Sequence, residues 1–186
     1  MTRWSQRNPV RGKLRRWLQA PGSLSARLAA TGERFTVQVL NQRRQSLTVD
    51  EARALGSAGG RAGYAREVLL RVDDVPLVFA RSVTRHVDSV GAWRSLRGLG
   101  SRPLADVLFN RAGMVRSQLA FARLAQGSRL QRHVQACWQA ATGQRSVRAA
   151  FPARRSVFVW HGAALLVMEV FVADTINWSG QPKNTR

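Results

Sequence analysis

Glu169 stands in an apolar run, Ala-Ala-Leu-Leu-Val-Met-Glu-Val-Phe-Val (163 to 172). A strand points alternate side chains to opposite faces, so Leu165, Val167, Glu169 and Phe171 share one face and Leu166, Met168, Val170 and Val172 the other. Both faces are apolar, which sinks the carboxylate into a core or a cavity. An unpaired ion there is so costly that proteins protonate it, pair it, or use it to receive a ligand. Arg66 presents the matching anomaly. In the segment 64 to 72 it shares a face with Tyr64, Val68, Leu70 and Val72, a cation on an otherwise apolar surface. At this level two readings stay open: a structural ion pair between Arg66 and Glu169, or a pair of groups that binds a ligand.

Other groupings that could carry chemistry are weak. His86, His133 and His161 are far apart in sequence, and no carboxylate or cysteine stands near them at metal-ligand spacing, so a metal site is not expected. Cys137 beside Trp138 has no evident base and reads as a buried, inert thiol. The glycine-rich stretch 56 to 63 lacks Gly-Lys-Ser/Thr and leads into a strand, which makes it a loop, not a phosphate cradle.

The elements that must position Glu169 and Arg66 follow from periodicity and turn signals. A short helix is expected over Leu24 to Ala30, capped by Ser23 and stopped at Gly32. Alternation predicts a strand over 34 to 40, and 48 to 55 forms a helical turn. A hairpin joins 64 to 72 and 75 to 84 around Asp73-Asp74. Helical character is expected at 90 to 99 and 128 to 142, with an apolar turn over Leu104 to Phe109 after the break at Pro103. Residues 114 to 124 fit a strand or a helix. A last hairpin pairs 154 to 160 with 163 to 172 through His161-Gly162. Hairpin-linked strands outnumber helices, which predicts an α+β fold with an antiparallel sheet.

The chain has 186 residues, enough for one domain with its own core. A basic segment at 1 to 20, lacking apolar periodicity over 1 to 16 but with Trp4 and Trp17 as anchors, precedes a body at 21 to 173. A polar tail follows at 174 to 186. One cysteine excludes an intramolecular disulfide, and no signal-peptide pattern or long apolar run appears. A cytoplasmic protein with no transmembrane segment is expected. The net charge of +20 points first to polyanions. Only Lys13 and Lys183 are not arginine, however, and the arginines are spread from Arg3 to Arg186 without any nucleic-acid-binding motif, so no specific nucleic-acid partner is expected.

Six segments arrive in an order that resembles the chorismate lyase family: Gly-Ser-Leu-Ser-Ala-Arg-Leu (22 to 28), Arg-Glu-Val-Leu-Leu (66 to 70), Ala-Arg-Ser-Val (80 to 83), 99 to 109, Ala-Arg-Arg-Ser-Val-Phe (153 to 158) and Leu-Leu-Val-Met-Glu-Val-Phe (165 to 171). The resemblance implies a single antiparallel sheet of about six strands with flanking helices, and an internal ligand cavity under helical flaps. It implies removal of pyruvate from chorismate to leave 4-hydroxybenzoate for ubiquinone biosynthesis, by a monomeric enzyme that needs no cofactor. It also implies roles: Arg66 holds the ring carboxylate, Glu169 faces the ring hydroxyl, and Leu24 and Leu104 contact the ligand from the flap segments. The stretch 125 to 152 is longer than the family needs. Two alternatives remain, a ligand-sensing domain of the same fold, as found on transcription regulators, and a basic nucleic-acid-binding protein.

Overall fold

The computed structural model describes residues 2–57, 61–109, 111–146 and 148–173. Their centre is an antiparallel sheet of seven strands: β1 (Phe35–Ser46), β2 (Ala62–Val72), β3 (Val75–Arg85), β4 (Val115–Arg116), β5 (Ala120–Leu124), β6 (Phe151–Trp160) and β7 (Ala163–Phe171). The order is β1-β2-β3-β7-β6-β4, and β5 also pairs with β6. β4 lies along Val159 and Phe158, β5 along 151 to 155, so one interrupted segment covers the outer edge of β6. Six positions across the sheet are thus filled by seven strands. The undecided segment 114 to 124 is this broken edge.

Both predicted hairpins form, because their turn residues tolerate left-handed backbone. Asp73 and Asp74 have φ of 48° and 63°, His161 and Gly162 have 48° and 73°. The strand expected at 34 to 40 runs on to Ser46, with an irregularity between Val39 and Asn41. Gly32 has a reason other than stopping a helix. A Cβ there would lie 2.2 Å from Asp73 Oδ2, so it lets the β2–β3 turn approach.

Among the described residues six α-helices flank the sheet: α1 (Lys13–Gln19), α2 (Leu24–Ala29), α3 (Val49–Ala54), α4 (His86–Val90), α5 (Ala105–Leu108) and α6 (Arg129–Thr142). Ser23 caps α2 through Ala26 N (3.1 Å), as expected. Thr48 and Glu51 form a capping box on α3. The helix expected over 90 to 99 is instead α4 and a separate 3₁₀ turn, Arg94–Leu96. α1 was not anticipated. Its buried residues Leu14, Trp17 and Leu18 have the i, i+3, i+4 spacing of a helix face, and they join the main core with Leu28, Leu69, Phe79 and Phe171. Trp4 anchors the preceding segment, with the Arg155 guanidinium 4.3 Å from its ring centroid. The polar tail 174 to 186 lies outside the described residues.

Candidate active site

Alternation along β2 sends Arg66, Val68 and Leu70 to one face of the sheet and Glu67 and Leu69 to the other. Cross-strand register then builds two neighbouring rows on the Arg66 face. One contains Arg66, Ser82, Val167 and Ser156; the next contains Val68, Ala80, Glu169 and Arg154. Arg66 and Glu169 are therefore separated by β3 and by one row. With strands about 4.8 Å apart and same-face residues about 6.8 Å apart along a strand, their Cα atoms are about 12 Å apart.

That face carries a pocket lined by Arg66, Glu169, Leu24, Leu104, Arg116 and Phe158, among others. The four residues singled out in the sequence thus meet at one place, although they come from β2, β7, the start of α2 and the residue before α5. α2 and α5 pack against each other over the sheet. Leu24 is buried and Leu104 half-buried.

Arg66 and Glu169 are not an ion pair. Glu169 Oε2 accepts from Arg154 Nε at 2.5 Å, with Arg154 1% exposed. Arg154 Nη1 also donates to the carbonyls of Trp17 (3.2 Å), Leu18 (3.2 Å) and Ala20 (2.9 Å). One guanidinium therefore compensates the carboxylate and satisfies carbonyls at the end of α1. Arg66 Nη2 donates to Gly100 O (2.7 Å) and Arg102 O (3.0 Å), while its Nε is buried with no hydrogen-bond partner. Burial lowers the Arg66 pKa to about 10, which leaves it charged at neutral pH. A buried cation with an unused donor and, among the described residues, no carboxylate partner is suited to an anionic ligand.

Arg116 is another cation in the lining. Its Nε donates to Ser156 Oγ (3.0 Å), Nη1 donates to Gly22 O (3.2 Å), and its guanidinium lies 5.1 Å from the Phe158 ring centroid. Burial, and then the neighbouring Arg154 charge, lower its pKa. The chain leading into the pocket-lining segments is thus fastened to the sheet by arginines: 17 to 22 by Arg154 and Arg116, and 100 to 102 by Arg66. Gln42 adds bonds to Leu96 O (3.1 Å) and Arg97 O (2.8 Å).

Arg154 and Arg116 were missed at the sequence level, though a signal for Arg154 exists. Counting back equally from the two-residue turn His161-Gly162 places Arg154 directly opposite Glu169. Arg116 offered no such signal, because its segment fits either period.

The other face of the sheet corrects two expectations. His133 does have ligand-type neighbours, with Glu67 Oε1 2.8 Å from its Nε2 and Cys137 Sγ 3.7 Å from the same nitrogen. Cys137 is only half-buried, and the His133 ring lies beside it, its pKa raised to about 10 by its contacts with Cys137 and Glu67. A buried network continues from there, as Arg81 donates to Glu67 (2.7 Å) and to Glu51 (2.7 Å).

Comparison with known proteins agrees with this architecture. The family model for chorismate lyase matches residues 3–181. A protein of Albidiferax ferrireducens named Probable chorismate pyruvate-lyase is 57% identical over 183 residues, 98% of this chain and 93% of its own. One of the same name from Aromatoleum aromaticum is 44% identical, covering 91% of each chain. Among solved structures, the effector domain of PhnF from Mycobacterium smegmatis superposes with a TM-score of 0.55 at 16% identity, over 83% of this chain and 90% of that one. The PhnF C-terminal domain gives 0.55 at 20% identity, over 79% and 88%. At such identities the likeness concerns the fold alone.

Proposed function

The chain belongs to the chorismate lyase family, and we propose that it is a carbon–oxygen lyase that converts chorismate to 4-hydroxybenzoate and pyruvate, supplying ubiquinone biosynthesis. The observation that carries this reading is the convergence of Arg66, Glu169, Leu24 and Leu104 on one pocket, with Arg66 left without a carboxylate partner among the described residues.

Chorismate has a ring carboxylate, a ring hydroxyl on the opposite ring position, and an enolpyruvyl ether bearing a second carboxylate. The ether C–O bond breaks, the hydrogen on the hydroxyl-bearing carbon leaves the ring, and the enolpyruvyl methylene gains a hydrogen to become the methyl group of pyruvate. No net oxidation occurs, and the gain of aromaticity drives the step. The protein therefore contributes mainly position and electrostatics. Arg66 anchors the ring carboxylate through a charge-assisted contact that fixes the ring plane. Glu169, two strands from Arg66 and held by Arg154 on the adjacent strand, faces the ring hydroxyl and orients or exchanges its proton. The spacing between the two rows leaves room for a ring to lie between them. Arg116 adds a second positive group for a substrate with two carboxylates. Leu24, Leu104 and Phe158 supply apolar walls that hold a reactive conformer and exclude water.

The test is direct. Purified protein mixed with chorismate should yield 4-hydroxybenzoate and pyruvate in equal amounts, followed by absorbance and by a coupled pyruvate assay. Absence of both products from folded protein overturns the proposal.

A further inference from the structure

On the sheet face away from the pocket, three different ligand-type side chains meet. Glu67 comes from β2, and His133 and Cys137 come from α6 at i, i+4 spacing, which puts them on one side of that helix. One donor atom from each lies within 4.8 Å of the other two. We propose that Glu67, His133 and Cys137 form a binding site for a divalent, borderline-soft transition metal ion of the zinc type, which fastens α6 to the back of β2.

The geometry separates this from a nucleophilic relay. In a Cys-His-carboxylate relay the thiol and the carboxylate use different ring nitrogens. Here Glu67 Oε1 (2.8 Å) and Cys137 Sγ (3.7 Å) both approach His133 Nε2, so all three donors face one point. Ligands around zinc at bond lengths of about 2.0–2.3 Å stand about 3.3–3.8 Å from one another. The nitrogen–sulfur separation already falls in that range. The nitrogen–oxygen pair needs to open by about half an ångström, and the oxygen–sulfur pair, which lies within 4.8 Å, needs to close, both by side-chain rotation.

The surroundings supply the remaining requirements. His133 has a side-chain exposure of 46% and Cys137 is half-buried, which leaves an entry path and a fourth position for water. The Phe79 ring meets the His133 imidazole edge-on, with centroids 6.1 Å apart, and fixes its plane. Glu67 is positioned by Arg81, and Arg81 is shared with Glu51. Two carboxylates against one guanidinium leave one negative charge, and a Cys137 thiolate adds another, so a dication is neutralised where it binds. The ligand set of imidazole, thiolate and carboxylate suits zinc or cobalt(II), not magnesium or calcium. This inference is independent of the proposed reaction, since Glu67 and Arg66 point to opposite faces.

Cobalt(II) is the probe. Titration of the reduced full chain should give tetrahedral d–d bands and a thiolate-to-metal charge-transfer band that saturate at one ion per chain. Cys137→Ser should abolish the charge-transfer band, and His133→Ala should weaken binding by at least about tenfold. Both changes are on partly exposed positions of α6, so the variants should fold. Zinc should raise the melting temperature of the wild type and not that of the double variant. Cobalt spectra without a thiolate band, or equal affinity in wild type and both variants, overturn the proposal.

Discussion

Arg154 and Glu169 face each other across the β6–β7 hairpin, Nε to Oε2 at 2.5 Å, and the same guanidinium holds the carbonyls of Trp17, Leu18 and Ala20. The carboxylate at the pocket and the chain segment that leads into the pocket wall at Gly22 therefore depend on one buried side chain. A disturbance of Arg154 is felt at both.

Arg154→Met should destabilise the protein by about 3–5 kcal/mol, because it leaves Glu169 without its cation and strands buried carbonyls. Arg154→Lys should recover little, since one ammonium cannot span the four acceptors. Urea unfolding followed by circular dichroism measures this. A stability loss below about 1 kcal/mol for the Met variant contradicts it.

Glu169→Gln keeps the shape and still offers Arg154 an oxygen acceptor, so the variant should fold with near wild-type cooperativity. Its kcat should fall by about 10²–10⁴-fold if the ionisable group takes part in proton transfer. Full activity in this variant reduces Glu169 to an orienting residue.

Arg66→Ala should weaken ligand binding by about 2–5 kcal/mol. It also removes the bonds to Gly100 O and Arg102 O, so Arg66→Lys should rescue poorly for two reasons: it lacks the planar fork, and it cannot hold the 100 to 102 segment in the same way. Product binding by calorimetry separates affinity from turnover. Unchanged kcat/KM in Arg66→Ala sinks the anchor role.

Acid stability should depend on Glu51. Burial raises its pKa, but the Arg81 hydrogen bond and charge and the Thr48 contacts outweigh that and hold it below 4.5. The unfolded chain then takes up the proton more readily than the folded one. Glu51 stabilises the fold above about pH 4.5, and that contribution is lost as pH falls through the lower folded value. Glu51→Gln should melt below the wild type at neutral pH, and the gap should close on acidification. A gap that persists in strong acid points to packing, not charge.

Release of product should limit turnover. Leu24 and Leu104 line the pocket, and if their segments close over the ligand, a flat aromatic acid held by Arg66 should leave only when they move. Rapid mixing with excess chorismate should show a burst of about one 4-hydroxybenzoate per site, and Leu104→Gly should raise the product off-rate. A time course linear from the first turnover rules this out.

Much of this architecture was written in local sequence. The turns at Asp73-Asp74 and His161-Gly162 announce their hairpins, Ser23 announces α2, and alternation alone marks Arg66 and Glu169 as charges on apolar faces. Even the Arg154–Glu169 pairing is implicit, because a two-residue turn sets the register of both its strands. Local pattern could not show that β7 lies between β3 and β6, and this placement alone brings Arg66 and Glu169 to one pocket without pairing them. Nor could it show that α6 docks against β3 on the back of the sheet, where His133 and Cys137 meet Glu67, or that the end of α1 satisfies Arg154. Such contacts join residues 66 or more positions apart, and their geometry is set by strand order and helix docking, which follow from burying the whole core at once, not from any one segment's periodicity.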